Sequence, residues 1–97
     1  MKFPESTPLE GDITRVTAAA ADTLILARNL NRNGALIFNE STAILYLCLS
    51  KQAASPTNYS VQIGPGGFYI NKYTDYAGEI RGYWATATGA AQVTEFV

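Results

Sequence analysis

Turn-forming residues interrupt this sequence at intervals of about ten residues, and that spacing constrains its fold more than any other feature. The runs between them are rich in β-branched and aromatic residues and are too short for ordinary helices. The strongest turn signals are Asn33-Gly34 and the Gly-Pro-Gly-Gly segment at residues 64–67. We predict about eight short strands, at residues 13–17, 23–27, 34–38, 43–50, 59–63, 68–70, 79–86 and 91–97. Such antiparallel strands are typical of a small β-sandwich or barrel, so the chain is predicted to be all-β.

The connections between the runs predict two strand pairs. The short polar stretch at residues 39–42 predicts a hairpin between 34–38 and 43–50. In the same way, the turn at residues 88–90 predicts a pair between the last two strands. The four alanines at residues 18–21 have high helix propensity, but the run is too short to be stable alone and is predicted as a turn.

The run at residues 43–49 is apolar on both faces of the predicted strand. One face carries Leu45, Leu47 and Leu49, and the other carries Ile44, Tyr46 and Cys48. Because a sandwich core covers only one face of a strand, the second face needs another cover. We expect that cover to be the N-terminal arm, a loop or another subunit.

Residues 1–11 differ in composition from the rest and are predicted to form an extended N-terminal arm, followed by the β-sandwich domain at residues 12–97. Pro4 and Pro8 remove backbone donors and favour extended geometry. The sizeable apolar side chains of the arm are Phe3 and Leu9, and we expect them to anchor it on a neighbouring protein.

Charged residues make up only 15% of the chain, against an average of about 25%. A small domain with 47% apolar residues must therefore expose more uncharged surface than is usual for a monomer. One alternative is a monomer whose surface consists of Thr, Ser, Asn and Gln side chains. The other, which we favour, is a chain whose surface is partly buried in an oligomer or larger assembly. The net charge of -1 without a basic cluster argues against nucleic-acid binding. No apolar run approaches the roughly 20 residues of a membrane span.

The sequence offers little for catalysis, because it contains no histidine and a single cysteine. Cys48 lies inside an apolar run and is predicted to be a buried, inert thiol. The Gly-Pro-Gly-Gly segment at residues 64–67 lacks the Lys and Ser or Thr of a phosphate-binding loop, and the acidic residues show no recognisable spacing. We therefore expect no enzyme activity, no catalytic or metal-binding residue and no cofactor.

Tyrosines are frequent in the later two-thirds of the chain. Tyr83 and Trp84 are neighbours on one predicted strand, so one ring is expected in the core and the other outside. For Tyr73, Tyr76 and the outward ring, three roles stay open: core or loop packing, a protein interface, and carbohydrate contact.

Four segments carry a resemblance to a known class of proteins: GALIFNESTAILYL at 34–47, YSVQI at 59–63, GEIRGYWA at 78–85 and AQVTEF at 91–96. Together they resemble small β-sandwich structural proteins of the virions of tailed bacteriophages. The resemblance covers most of the chain after the arm, and its motifs are structural.

This resemblance implies a capsid decoration (cement) protein, made in the host cytoplasm and located in the virion. The implied partners are the major capsid protein and further copies of the chain, with a homotrimer as the favoured oligomer. The alternative is a tail- or fibre-associated module that contacts host-surface carbohydrate. The interface residues that we predict are Phe3, Leu9, Tyr73, Tyr76 and Tyr83.

Overall fold

The computed structural model describes residues 10–71 and 76–97, and this part of the chain contains strands but no helix. The strands are β1 (Gly11–Thr17), β2 (Thr23–Leu26), β3 (Gly34–Glu40), β4 (Leu45–Cys48), β5 (Val61–Ile63), β6 (Phe68–Asn71), β7 (Ile80–Trp84) and β8 (Ala90–Phe96). Each predicted strand overlaps one of these eight. The prediction of an all-β, antiparallel chain is confirmed.

The strands form two four-stranded antiparallel sheets, with the order β1-β8-β3-β6 in sheet I and β2-β7-β4-β5 in sheet II. The predicted hairpin between β3 and β4 is wrong, because these strands belong to different sheets. The predicted pair between β7 and β8 is wrong for the same reason. Turn chemistry marks where the chain reverses, but a reversal can lead into the facing sheet as well as into the same one.

The core lies between the two sheets and is built from residues on their facing sides. Its large, fully buried side chains are Ile37 and Val93 from sheet I and Leu45, Leu47, Ile80 and Trp84 from sheet II. Trp84 is buried and its neighbour Tyr83 is partly exposed on the opposite face of β7, so the predicted division of these two rings is confirmed.

A buried polar residue, Asn39, ties the two sheets together at one end of the core. Its side-chain amide donates hydrogen bonds to the carbonyl oxygens of Ala43 at 2.8 Å and Ile63 at 2.9 Å. Its side-chain oxygen accepts one from the indole Nε1 of Trp84 at 3.2 Å. Since Asn39 belongs to sheet I and these partners belong to sheet II or its flanking loops, the network fixes how the sheets meet.

The second face of β4 is partly covered by the chain itself. The ring of Tyr59, from the loop between β4 and β5, lies 5.1 Å from the ring of Tyr46 between centroids. Cys48 on the same face is buried, and this burial raises the pKa of its thiol. Of the three covers that the sequence left open, the described residues supply a loop.

Candidate protein-docking face

The side of sheet I that points away from the core is unusually apolar. Residues on a strand alternate between the two faces of its sheet, and on this outward face the apolar members come from all four strands. We call them the outer apolar face: Ile13 of β1, Leu36 and Phe38 of β3, Phe68 and Ile70 of β6, and Phe96 of β8.

The strand register places these side chains in adjacent rows. Ile13 lies opposite Thr94, Thr94 lies opposite Leu36, and Leu36 lies opposite Ile70, so one row crosses the whole width of sheet I. In the next row, Phe38 lies opposite Phe68. Directly opposed side chains on one face are within contact distance, so the two rows form a continuous surface.

Much of this surface is open to solvent. The exposed fractions are 72% for Ile13, 63% for Phe68, 43% for Ile70 and 36% for Phe38. If a fully exposed large apolar side chain has about 200 Å², these four expose roughly 400 Å² together. An apolar patch of that size on a monomer is often a binding site.

Polar groups border one end of the outer apolar face. Glu40 accepts hydrogen bonds from the guanidinium of Arg15 and from the side-chain amide of Gln92. The bond from Arg15 is the main reason that the pKa of the Glu40 carboxyl lies below its ordinary value. An apolar centre with a hydrogen-bonded polar rim is the usual anatomy of a protein interface.

The residues predicted from sequence lie elsewhere or outside the described part of the chain. Phe3, Leu9 and Tyr73 are outside the described residues. Tyr76 is half-buried against the core, and its hydroxyl donates a hydrogen bond to the carbonyl of Glu79. Burial is the main cause that raises the pKa of this hydroxyl.

Tyr83 lies on the outward face of sheet II, directly opposite Tyr46 in the strand register. The structure therefore brings neither Tyr76 nor Tyr83 to the outer apolar face. An interface role for the five predicted residues stays a prediction.

Sequence reasoning missed the outer apolar face, although a signal for it was present. Residues 35–38 are four consecutive apolar residues, the same two-faced pattern that drew attention to residues 43–49. In β4 the second face is partly covered by Tyr59, whereas in β3 it stays at the surface. The sequence does not show which of the two apolar runs has an exposed second face, because that depends on where the loops lie.

A second, smaller aromatic surface lies on the outward side of sheet II. It consists of Tyr46, Tyr59 and Tyr83, and the side-chain amide of Gln62 donates a hydrogen bond to the Tyr59 hydroxyl at 2.8 Å. Rings with adjacent hydrogen-bonding groups can stack against apolar faces of sugars or pack against protein.

Within residues 10–71 and 76–97, no three His, Cys, Asp or Glu side chains are grouped so that they could hold a metal ion. The same residues include no helix with the length and apolarity needed to cross a membrane. In the comparisons with known proteins, no protein family, no curated protein and no solved structure matches this chain.

Proposed function

We propose that this chain is a structural, non-enzymatic protein that docks onto a larger protein assembly through the outer apolar face. The observation that carries the proposal is the row of side chains from Ile13 to Ile70, which crosses the full width of sheet I at the surface. When another protein covers apolar surface of this kind, the free energy of the complex falls by about 25 cal/mol for each Å² removed from water.

The partner that we propose is the major capsid protein of a bacteriophage head, with this chain as a decoration protein that binds as a homo-oligomer. The support for this finer proposal is the resemblance of the four segments given above. A decoration protein adds buried area between shell subunits and needs no chemistry of its own. A stable contact buries about 1,200–2,000 Å² in total, so several copies or a second surface must contribute besides one outer apolar face.

The test uses the full chain and phage heads assembled without it. The chain should co-sediment with the heads up to a saturating ratio, and Phe68→Ser should weaken binding at least about tenfold, because it removes the most exposed ring of the face. Leu24→Ser is the matched control, since Leu24 is also an exposed apolar strand residue but belongs to sheet II. The proposal is wrong if the chain does not bind, or if both variants weaken binding equally.

The aromatic surface of sheet II favours a second candidate, a tail or fibre module that contacts host-surface carbohydrate. In that case the chain should be retained on cell-envelope polysaccharide, and Tyr46→Ala should remove this retention while Phe68→Ser leaves it intact. Retention that neither substitution alters would exclude both surfaces as the sugar site.

A further inference from the structure

The open edge of sheet I has the features of a pairing edge. β1 has seven residues in unbroken register with β8, and six of the seven are exposed. The other sheet edges are shorter: β5 has three residues, β6 has four, and β2 has four with a register irregularity. Proteins usually shorten, bend or cover an edge strand because its free backbone groups can pair with another strand. β1 is not protected in these ways by the described residues.

The hydrogen bonds to β8 show which backbone groups of β1 face the open edge. Glu10 and Val97 exchange two backbone hydrogen bonds, of 3.5 and 3.1 Å, so their backbone groups face each other. At the other end, the N–H of Ala18 donates to the carbonyl of Gly89 at 3.0 Å. In an antiparallel pair this orientation repeats at every second residue. Gly11, Ile13 and Arg15 therefore direct their N–H and C=O groups away from β8, along the open edge.

We propose that β1 pairs in an antiparallel direction with β1 of a second copy of this chain, around a two-fold axis at Ile13. The pairing joins the two copies of sheet I into one eight-stranded sheet. It names a second copy as a partner in the assembly described above and rests on that proposed function, but it uses the strand edge rather than the apolar face.

The side chains of β1 select this register. With the axis at Ile13, each Ile13 lies opposite the other, and Arg15 lies opposite Gly11, which has no side chain of its own. Centring the axis on Asp12 or Arg15 would oppose two like charges, which is destabilising. Centring it on Thr14 would oppose Ile13 and the charged Arg15. The register at Ile13 pairs the most exposed apolar side chain with itself and opposes no like charges.

The pairing also extends the outer apolar face. A two-fold axis perpendicular to the sheet keeps both outward faces on the same side, so the row from Ile13 to Ile70 continues into the second copy. The roughly 400 Å² exposed by one copy then approaches about 800 Å², the area that one partner contributes to a standard interface. An edge-paired dimer thus offers a docking surface of about twice the area that one copy has. The dimer differs from the trimer that the resemblance implies.

The first experiment places proline at one edge of sheet I or at the other and measures mass by light scattering over a concentration series. Ile13→Pro removes an N–H that points to the open edge and leaves the β1–β8 hydrogen bonds in place. Ile70→Pro is the matched control, because Ile70 is the corresponding apolar residue on the other edge strand, β6. The unmodified chain and Ile70→Pro should dimerise, and Ile13→Pro should weaken dimerisation at least about tenfold.

The second experiment tests the register by oxidising single-cysteine substitutions in the full chain. Directly opposed residues of a hydrogen-bonded pair have Cα atoms about 5.5 Å apart, within disulfide range. Ile13→Cys should therefore form a covalent dimer, whereas Thr14→Cys should not, because the two Thr14 positions are offset by about 7 Å along the strands. Cys48 is buried and common to both variants.

The two proposals fail in different ways. If the chain oligomerises, Ile13→Cys does not cross-link and Phe68→Ser abolishes the oligomer, the edge pairing is wrong and docking through the face stands. If Thr14→Cys cross-links instead, the proposed register is wrong. If Ile13→Cys cross-links but the chain does not bind heads, the pairing stands and the proposed shell partner is wrong. A chain that stays monomeric at every concentration overturns the pairing outright.

Discussion

Replacing Asn39 with alanine should be among the most destabilising substitutions in this domain. The change removes two N–H donors, which are shared among the carbonyl oxygens of Ala43, Ile63 and Gly64, and the oxygen that accepts from Ser41 and Trp84. Because Trp84 is fully buried and its indole N–H bonds to Asn39, that N–H would be left without a partner at a cost of about 1–3 kcal/mol.

The remaining bonds contribute about 1 kcal/mol each, less where a carbonyl keeps another donor, as Ala43 does through Ser41. We therefore expect Asn39→Ala to lower the free energy of unfolding by about 3–5 kcal/mol. A domain of this kind has only about 5–15 kcal/mol in total, so this loss would be a large part of its stability.

Urea denaturation followed by tryptophan fluorescence measures this loss directly, because Trp84 is the single tryptophan of the chain and is buried when the chain is folded. Asn39→Asp keeps the shape and the acceptor for Trp84, but its carboxylate cannot donate to the three carbonyl groups and would be a buried, unpaired charge, so the loss should be at least as large. A loss below about 1 kcal/mol for Asn39→Ala would refute the account of Asn39 as the link between the sheets.

Two further predictions concern pH and backbone strain. The hydrogen bond from Arg81 lowers the pKa of Asp22 from 3.8, so this stabilisation is present above the unfolded pKa and is lost as pH falls through the folded one. Asp22→Asn should therefore lower the free energy of unfolding by less than about 1 kcal/mol at pH 7, and by still less below the folded pKa. Urea denaturation over a series of pH values measures this difference. Gly66 and Gly89 both have positive φ, 73° and 78°. A Cβ at Gly66 would meet open space, whereas one at Gly89 would overlap the carbonyl oxygen of Glu40. Thermal or urea denaturation should show a loss of about 1 kcal/mol for Gly66→Ala and at least about 3 kcal/mol for Gly89→Ala, and equal losses would contradict this reasoning.

Strand positions could be predicted from the sequence because they follow from local features. Turn residues mark the ends of the runs, and the alternation at Val61 and Ile63 marks which side chains face the core. The same alternation predicts that only one of the neighbouring rings Tyr83 and Trp84 lies in the core, although it does not show which.

The assignment of strands to sheets could not be predicted, because it depends on contacts between distant parts of the chain. β3 has β6 and β8 as neighbours, and no local signal distinguishes them from β4. The Asn39 network, which links β3 to residues on three other segments, also becomes visible only in three dimensions. The outer apolar face was missed for the same reason, since exposure depends on which strands are covered.

The position of β8 in sheet I has a consequence for how the chain folds. β8 lies between β1 and β3, and β1 has no other strand partner among the described residues. β1 and β8 must therefore meet before the four-stranded sheet I is complete, which requires contacts of high sequence separation and favours slow folding. Until β8 has formed, β1 has no strand to pair with among the described residues, and Ile13 cannot join the row that ends at Ile70.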